Sequence, residues 1–403
     1  MAEYLLRCAQ CGEGRTEDAN YVACPACGGF LEVEFARVPA NPIDPRFASI
    51  FKYHPVMPYD PTVEDIQAHE DLEETPVVPA TRLSDKLGIE LFFKDETVMP
   101  TGTWKDREGY VTIHRLLKNK VADLVVFSSG NTATSLARSA SIVKGPRLHF
   151  VIPSASRNRI QALKKFYHDD YVKVHFFDGS NDECSAQAAK MAKELGYQVE
   201  GGFANYARRE GLKLLGLEIL LGWKQRVDWY VQPIAGGIGI YAYYKAHKDL
   251  GVADQCSKML GVQADICAPM VNAWKDGSAT LEERHIPQEV VPSEFVRVLR
   301  TRRPVDSYPV LKTLMDRVGG RFEAVRLQRH AQYGVPLALS LILSLILSST
   351  DRFLLAAFLD EAAVGAYHAG YSLANRTLDV AFIWLGAAFY GHPGVYVYPS
   401  HEC

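Results

Sequence analysis

From about Glu73 to Gly320, short apolar runs alternate with amphipathic stretches, the rhythm of an α/β chain. Strands are predicted over IELFFKDE (Ile89–Glu96), DLVVFSS (Asp123–Ser129), LHFVIP (Leu148–Pro153), VKVHFF (Val172–Phe177), DWYVQPI (Asp228–Ile234) and MLGVQA (Met259–Ala264), where β-branched and aromatic residues dominate and turn residues form the boundaries. Helical periodicity is predicted for Thr132–Val143, Asp182–Leu195, Tyr206–Leu221 and Ile240–Leu250, each long enough to cross over between parallel strands. The expected architecture is an open twisted sheet with helices on both faces. After Arg321 the pattern changes. No lysine follows Lys312, and Ala331–Thr350 is a run of 20 uncharged positions, the length of a membrane span, although Pro336 and four serines interrupt it. Residues 321–403 therefore read as an apolar helical tail, either buried in the fold or in contact with membranes.

Charge narrows the choice of partner. With 44 basic and 47 acidic residues the chain has no global field to draw nucleic acid or anionic lipid, so a small molecule is the expected partner and phosphate recognition must be local. The N-terminus shows no secretory pattern, which points to a reducing, cytoplasmic setting.

Four of the eight cysteines crowd the first residues as two CxxC pairs, Cys8 with Cys11 and Cys24 with Cys27. Each pair turns two thiolates towards one point, and the two together supply the four sulfurs of a tetrahedral zinc site. With every position filled by sulfur, no site is open for water, so a structural role is expected for a zinc-ribbon-like module over residues 1–36.

Three loops after predicted strands carry candidate chemistry, because ligands of open α/β sheets bind at the carboxyl ends of strands. In KDETVMPTGTWKDREG, Lys105 stands at a helix start, where the helix dipole lowers an amine pKa; a solvated surface lysine is the alternative. In SSGNTATS, backbone amides and hydroxyls suit a carboxylate and Asn131 suits a cofactor oxygen, with a plain capping loop as the alternative. In PIAGGIGIYAYYK, the amides around Gly236, Gly237 and Gly239 suit a phosphate, though a lone glycine cluster is weak evidence.

In this order and at these separations, the loops resemble those of the fold-type II pyridoxal-phosphate enzymes, and within them the threonine synthases. SIFKYHPVMP (Ser49–Pro58), ETPVVPATRLSDKLG (Glu74–Gly88), NYARREGLKLLGLEI (Asn205–Ile219) and GVQADICAPMVNAW (Gly261–Trp274) extend the resemblance from the cysteine module to about Gly320. It implies a two-subdomain catalytic region over residues 37–320. Lys105 would be the cofactor lysine and catalytic group, Asn131 would contact the pyridine-ring hydroxyl, and Ala235, Gly236, Gly237, Ile238 and Gly239 would hold the cofactor phosphate. Ser129, Asn131 and Thr132 would meet the substrate carboxylate, Arg157, Arg159 and Arg208 its phosphate, and Thr103 would support either group; for each arginine a surface salt bridge is the alternative.

The implied reaction converts O-phospho-L-homoserine and water to L-threonine and phosphate. The alternatives are cysteate synthase or a cysteine-synthase-like β-replacement on O-phosphoserine. A homodimer is left open.

Three departures from the family pattern stand out. Ala235 and Ile238 replace small residues of the glycine loop, and Trp104 and Glu108 replace a phenylalanine and a short residue or glycine. The family's late EPASA-like strand, with the hydroxyl that bonds the pyridine nitrogen, is not recognisable after Gly320; instead Tyr333–Leu378 resembles polysaccharide flippases. An inactive, truncated enzyme fused to a flippase fragment is the third reading.

Overall fold

The computed structural model describes residues 4–15, 22–37, 40–128, 130–154, 157, 164–179, 181–223, 225–288, 303–304 and 307–325. Ser129, Arg159 and the apolar run Ala331–Thr350 lie outside them. The described residues fall in one unit, Met1–Val325.

The chain opens with β1 (Tyr4–Cys8), β2 (Gly14–Arg15) and β3 (Leu31–Phe35), paired antiparallel in the order β2-β1-β3. Alternation decides the packing: Leu6 lies opposite Val33 and Cys8 opposite Leu31, and all four are buried against Tyr53, Tyr206 and Leu214 of the larger body. Next come α1 (Val63–Ala68), β4 (Val77–Pro79), α2 (Thr81–Leu87) and β5 (Phe92–Lys94), with β4 and β5 forming a small antiparallel pair.

The first large sheet follows α3 (Lys105–Lys118). It comprises β6 (Asp123–Val126), α4 (Asn131–Ile142), β7 (Arg147–Pro153), β8 (Val172–Phe177), α5 (Asn181–Leu195) and β9 (Gln198–Val199), with parallel strands in the order β8-β7-β6-β9. Period two sorts the strand residues. Leu124, Val126, Leu148, Phe150 and Ile152 pack with Ile113 of α3 and with Ala133 and Leu136 of α4, while Val125 and Val151 turn to Ala188 and Ala192 of α5. Helices thus cover both faces, and truncating Phe150 would cost about 3–5 kcal/mol.

A second parallel sheet is built after α6 (Tyr206–Leu217) from β10 (Trp229–Pro233), α7 (Ile238–Asp249), β11 (Lys258–Ala264), α8 (Pro269–Lys275), α9 (Tyr308–Val318) and β12 (Arg321–Val325), in the order β10-β11-β12. The pattern of runs predicted one open sheet, whereas the strands form two, with β9, only two residues long, at the edge of the first. β12 pairs residue for residue with β11, and Phe322 is buried among Ile234, Met259 and Leu311. The ordered sheet therefore passes the boundary placed at Gly320. Among the described residues no helix is long and apolar enough to cross a membrane.

Candidate functional site

The three loops follow the expected elements: Lys105 begins α3, Asn131 begins α4 just past the end of β6, and Ile234–Gly237 joins β10 to α7. Lys105 is held by its backbone on two sides. Thr101 donates from its amide (2.7 Å) and its hydroxyl (2.9 Å) to the carboxylate of Asp106, closing the turn before the helix, and Ser135 Oγ of α4 donates to Lys105 O at 2.6 Å. α3 and α4 cross this closely because Gly109 has no side chain: a Cβ there would lie 2.1 Å from Ser135 Oγ. Arg107, fully buried, ties α3 to Glu96 and to Glu218 beyond α6, and Lys94 of β5 also reaches Glu218.

Two contacts draw the loops together. Asn131 Nδ2 donates to Thr103 Oγ1 at 3.3 Å. The Trp104 indole lies against Gly239, where a Cβ would meet its Cη2 at 2.3 Å, so the lysine loop and the glycine loop touch. Gly237 caps α7 at φ +75° without a side-chain hydrogen bond, leaving the first-turn amides for a ligand. A Cβ on Gly236 would meet nothing within 4 Å, which leaves open space beside those amides. Gln263 Nε2 lies 3.5 Å from Ala235 O and its Oε1 accepts from the Met270 amide, steadying the loop. Open space, unblocked helix amides and a buried amine fit pyridoxal phosphate. Lys105, Asn131 and Ala235–Gly239 are the residues that would hold it.

Around the Lys105 amine the structure adds a group that the sequence reading did not place. Glu108 Oε2 accepts from Lys105 Nζ at 3.1 Å, and Glu108 Oε1 accepts from Thr132 Oγ1 (2.7 Å) and lies 3.1 Å from Arg208 Nη2. Arg208 also bonds both oxygens of Glu200, at 3.0 and 3.1 Å. Burial, joined by the positive charge of Arg208, holds the Lys105 amine below its ordinary pKa although Glu108 pulls it up. Burial would raise the Glu108 carboxyl, but Arg208 and Lys105 outweigh it and keep the group below the usual carboxylate range.

Arg208 and Thr132, expected to meet substrate, are thus engaged with internal carboxylates. Arg157 sits 3.8 Å from the ring centroid of Phe176. Glu108 was accessible to the sequence reading: it stands three residues after Lys105 on a predicted helix, a spacing that places two side chains on one face.

In the N-terminal module, Cys8 and Cys27 sulfurs lie 3.4 Å apart, Cys11 and Cys24 sulfurs 3.8 Å apart, and all four within 4.8 Å of one another. Zinc–sulfur bonds of about 2.3 Å in a tetrahedron separate sulfurs by about 3.8 Å, so the donor set fits zinc. The amides of Gln10 and Cys11 donate to Cys8 Sγ and that of Gly29 to Cys27 Sγ, each at 3.4 Å, an arrangement that favours thiolates.

Residues 69–339 match the model of the pyridoxal-phosphate dependent enzyme family, and the chain belongs to that family. Among curated proteins it is similar to a threonine synthase of Methanosarcina acetivorans, 27% identical over 331 residues covering 80% of this chain and 78% of that protein. It is also similar to a cysteate synthase of Methanococcoides burtonii, 27% identical over 291 residues covering 68% and 66%. Among solved structures it resembles threonine deaminase isoform 2 from Solanum lycopersicum, with a TM-score of 0.51 and 18% identity over 65% of this chain and 73% of that one, a likeness of fold.

Proposed function

We propose that the chain is a pyridoxal-phosphate lyase of the threonine-synthase kind, converting O-phospho-L-homoserine and water to L-threonine and phosphate. The observation that carries this reading is the convergence of the largely buried Lys105 amine with Asn131, through Thr103, and with the glycine loop, through Trp104. Similarity to threonine synthases supports the substrate. Bound at this site, pyridoxal phosphate supplies an electron sink for the pair left when a proton leaves Cα.

The chain's own residues do the rest. Lys105 Nζ takes and returns that proton, and burial, by holding its pKa below the ordinary lysine value, favours the neutral amine that this role needs. The amides at the start of α7 take the cofactor phosphate. Backbone amides of the Ser129–Thr132 loop, with Ser129 and Thr103, orient the substrate carboxylate, the Thr132 hydroxyl being committed to Glu108. Substrate phosphate falls to Arg157 and Arg159, since Arg208 is committed to Glu108 and Glu200. The four cysteines hold a structural zinc.

Cysteate synthase, or a cysteine-synthase-like β-replacement on O-phosphoserine, is the second reading, and the similarity to cysteate synthases favours it. Phosphate release from O-phosphohomoserine and from O-phosphoserine separates the two, and turnover of O-phosphoserine alone overturns the first. Lys105→Ala should abolish both the bound-cofactor absorbance and turnover; retained absorbance would remove Lys105 from the role.

A further inference from the structure

We propose that Glu108 is a positioning residue for Lys105: its carboxylate fixes the direction of the amine and serves as its internal counter-ion. The proposal rests on the reading of Lys105 as the cofactor lysine. The Glu108 side chain has no exposure to solvent, and a buried carboxylate is costly unless both oxygens are satisfied. Here they are satisfied from different directions. Oε2 faces Lys105 Nζ, one helical turn back on the same face of α3, while Oε1 is held by Thr132 from α4 and Arg208 from α6. The carboxylate therefore cannot rotate without breaking a contact to another helix, and the amine it holds is aimed by three elements at once.

The other groups around Lys105 Nζ are few. The Trp104 ring lies 4.6 Å away, and Arg208 adds positive charge from α6, where Glu200 anchors it from its far side. Two cations and two carboxylates make the cluster neutral when the amine is protonated. When the amine gives up its proton, Glu108 keeps Arg208 and Thr132 and stays in place. The cluster then carries one net negative charge, shared by Glu108 and Glu200 around Arg208, and Glu108 still offers Nζ a hydrogen-bond acceptor.

The test follows the reactivity of the Lys105 amine in the full-length, cofactor-free chain. Trinitrobenzenesulfonate attacks only neutral amines, and the modified Lys105 peptide is quantified by mass spectrometry between about pH 6 and pH 10. Glu108→Gln keeps the shape and removes the charge, so the midpoint should fall by about one unit or more, with roughly tenfold faster modification on the rising limb. Arg208→Gln removes a neighbouring cation and should move the midpoint in the opposite direction.

Opposite shifts, with exposed lysines unchanged, support the proposal. A folded Glu108→Gln chain with an unmoved midpoint overturns it, and so do two variants that shift the same way. Should Glu108→Gln fail to fold, an unmoved midpoint in Arg208→Gln overturns it as well. If Lys105→Ala retains cofactor absorbance, the cofactor reading fails, whatever the midpoints show.

Discussion

Replacing Gly109 by alanine sets two physical effects against each other, and the sign of the result decides between them. In an exposed helix interior, glycine to alanine gains about 1 kcal/mol. In this protein the new Cβ would lie 2.1 Å from Ser135 Oγ and 2.9 Å from both the carbonyl carbon and oxygen of Ser135, whereas comfortable carbon contacts begin at about 3.5 Å. Ser135 cannot turn aside freely, since its hydroxyl donates to Lys105 O, and its backbone atoms stay where they are. α3 and α4 must therefore part by roughly 1 Å. Overpacking of this kind costs about 1–3 kcal/mol, so after the propensity gain the variant should be less stable by up to about 2 kcal/mol.

Urea unfolding measures this as a lower midpoint at unchanged slope. Parting the helices also carries Lys105 away from Asn131, so cofactor titration should show weaker binding. Adding Ser135→Ala removes the shortest contact but leaves the backbone ones, and should recover part of the stability. A Gly109→Ala chain more stable than the parent would refute the claimed helix crossing.

Gly237→Val should weaken cofactor binding, because residue 237 has φ +75° and a Cβ there would lie 2.2 Å from Leu311 Cδ1; an unchanged titration would misplace the phosphate loop. With zinc on the four cysteines as proposed, chelation should lower the unfolding temperature while the bound-cofactor absorbance persists, and loss of activity in a folded, cofactor-loaded Cys24→Ser chain would contradict a structural role for the ion. His69 is fully buried, and burial lowers its pKa from 6.5 to about 4. Its contribution to stability is therefore complete above about pH 6.5 and is lost as pH falls towards 4. His69→Phe should flatten the pH dependence of the urea midpoint across that window, and an unchanged slope would assign the acid sensitivity to other groups.

Much of this was legible in the chain because the signals were local. Val172–Phe177 forms a strand over its predicted span, and five other runs hold strands at or inside their predicted limits, give or take a residue, since β-branched and aromatic density marks them without reference to the rest of the fold. The helix starts that carry Lys105 and Asn131 lie where their loops predicted them, while the roles proposed for the two side chains came from the family resemblance. Contacts between helices were less visible. The sequence reading gave Gly109 and Gly211 no role; in the structure α3 crosses α4 at the first and α6 at the second, where a Cβ on Gly211 would lie 2.4 Å from Arg107 O. β9 escaped because two residues carry no period, and β12 because Arg321–Val325 abuts the change in composition that suggested a tail. Arg208 was read as a cation awaiting phosphate, which holds only if no internal carboxylate reaches it first; Glu108 and Glu200 both do.

The cysteine module is gripped from far along the chain. Lys245 of α7 donates to Val33 O across 212 residues, and Arg209 of α6 donates to Leu31 O across 178. A ribosome adding about 5–20 residues per second leaves a delay on the order of 10–40 seconds between the first strands and the cations that seize them. Through that interval the strands depend on their own short pairing, and the zinc proposed for the four sulfurs would brace them. Metal shortage should therefore appear first in the yield of finished chain, before any change in the rate constants of the chains that do assemble.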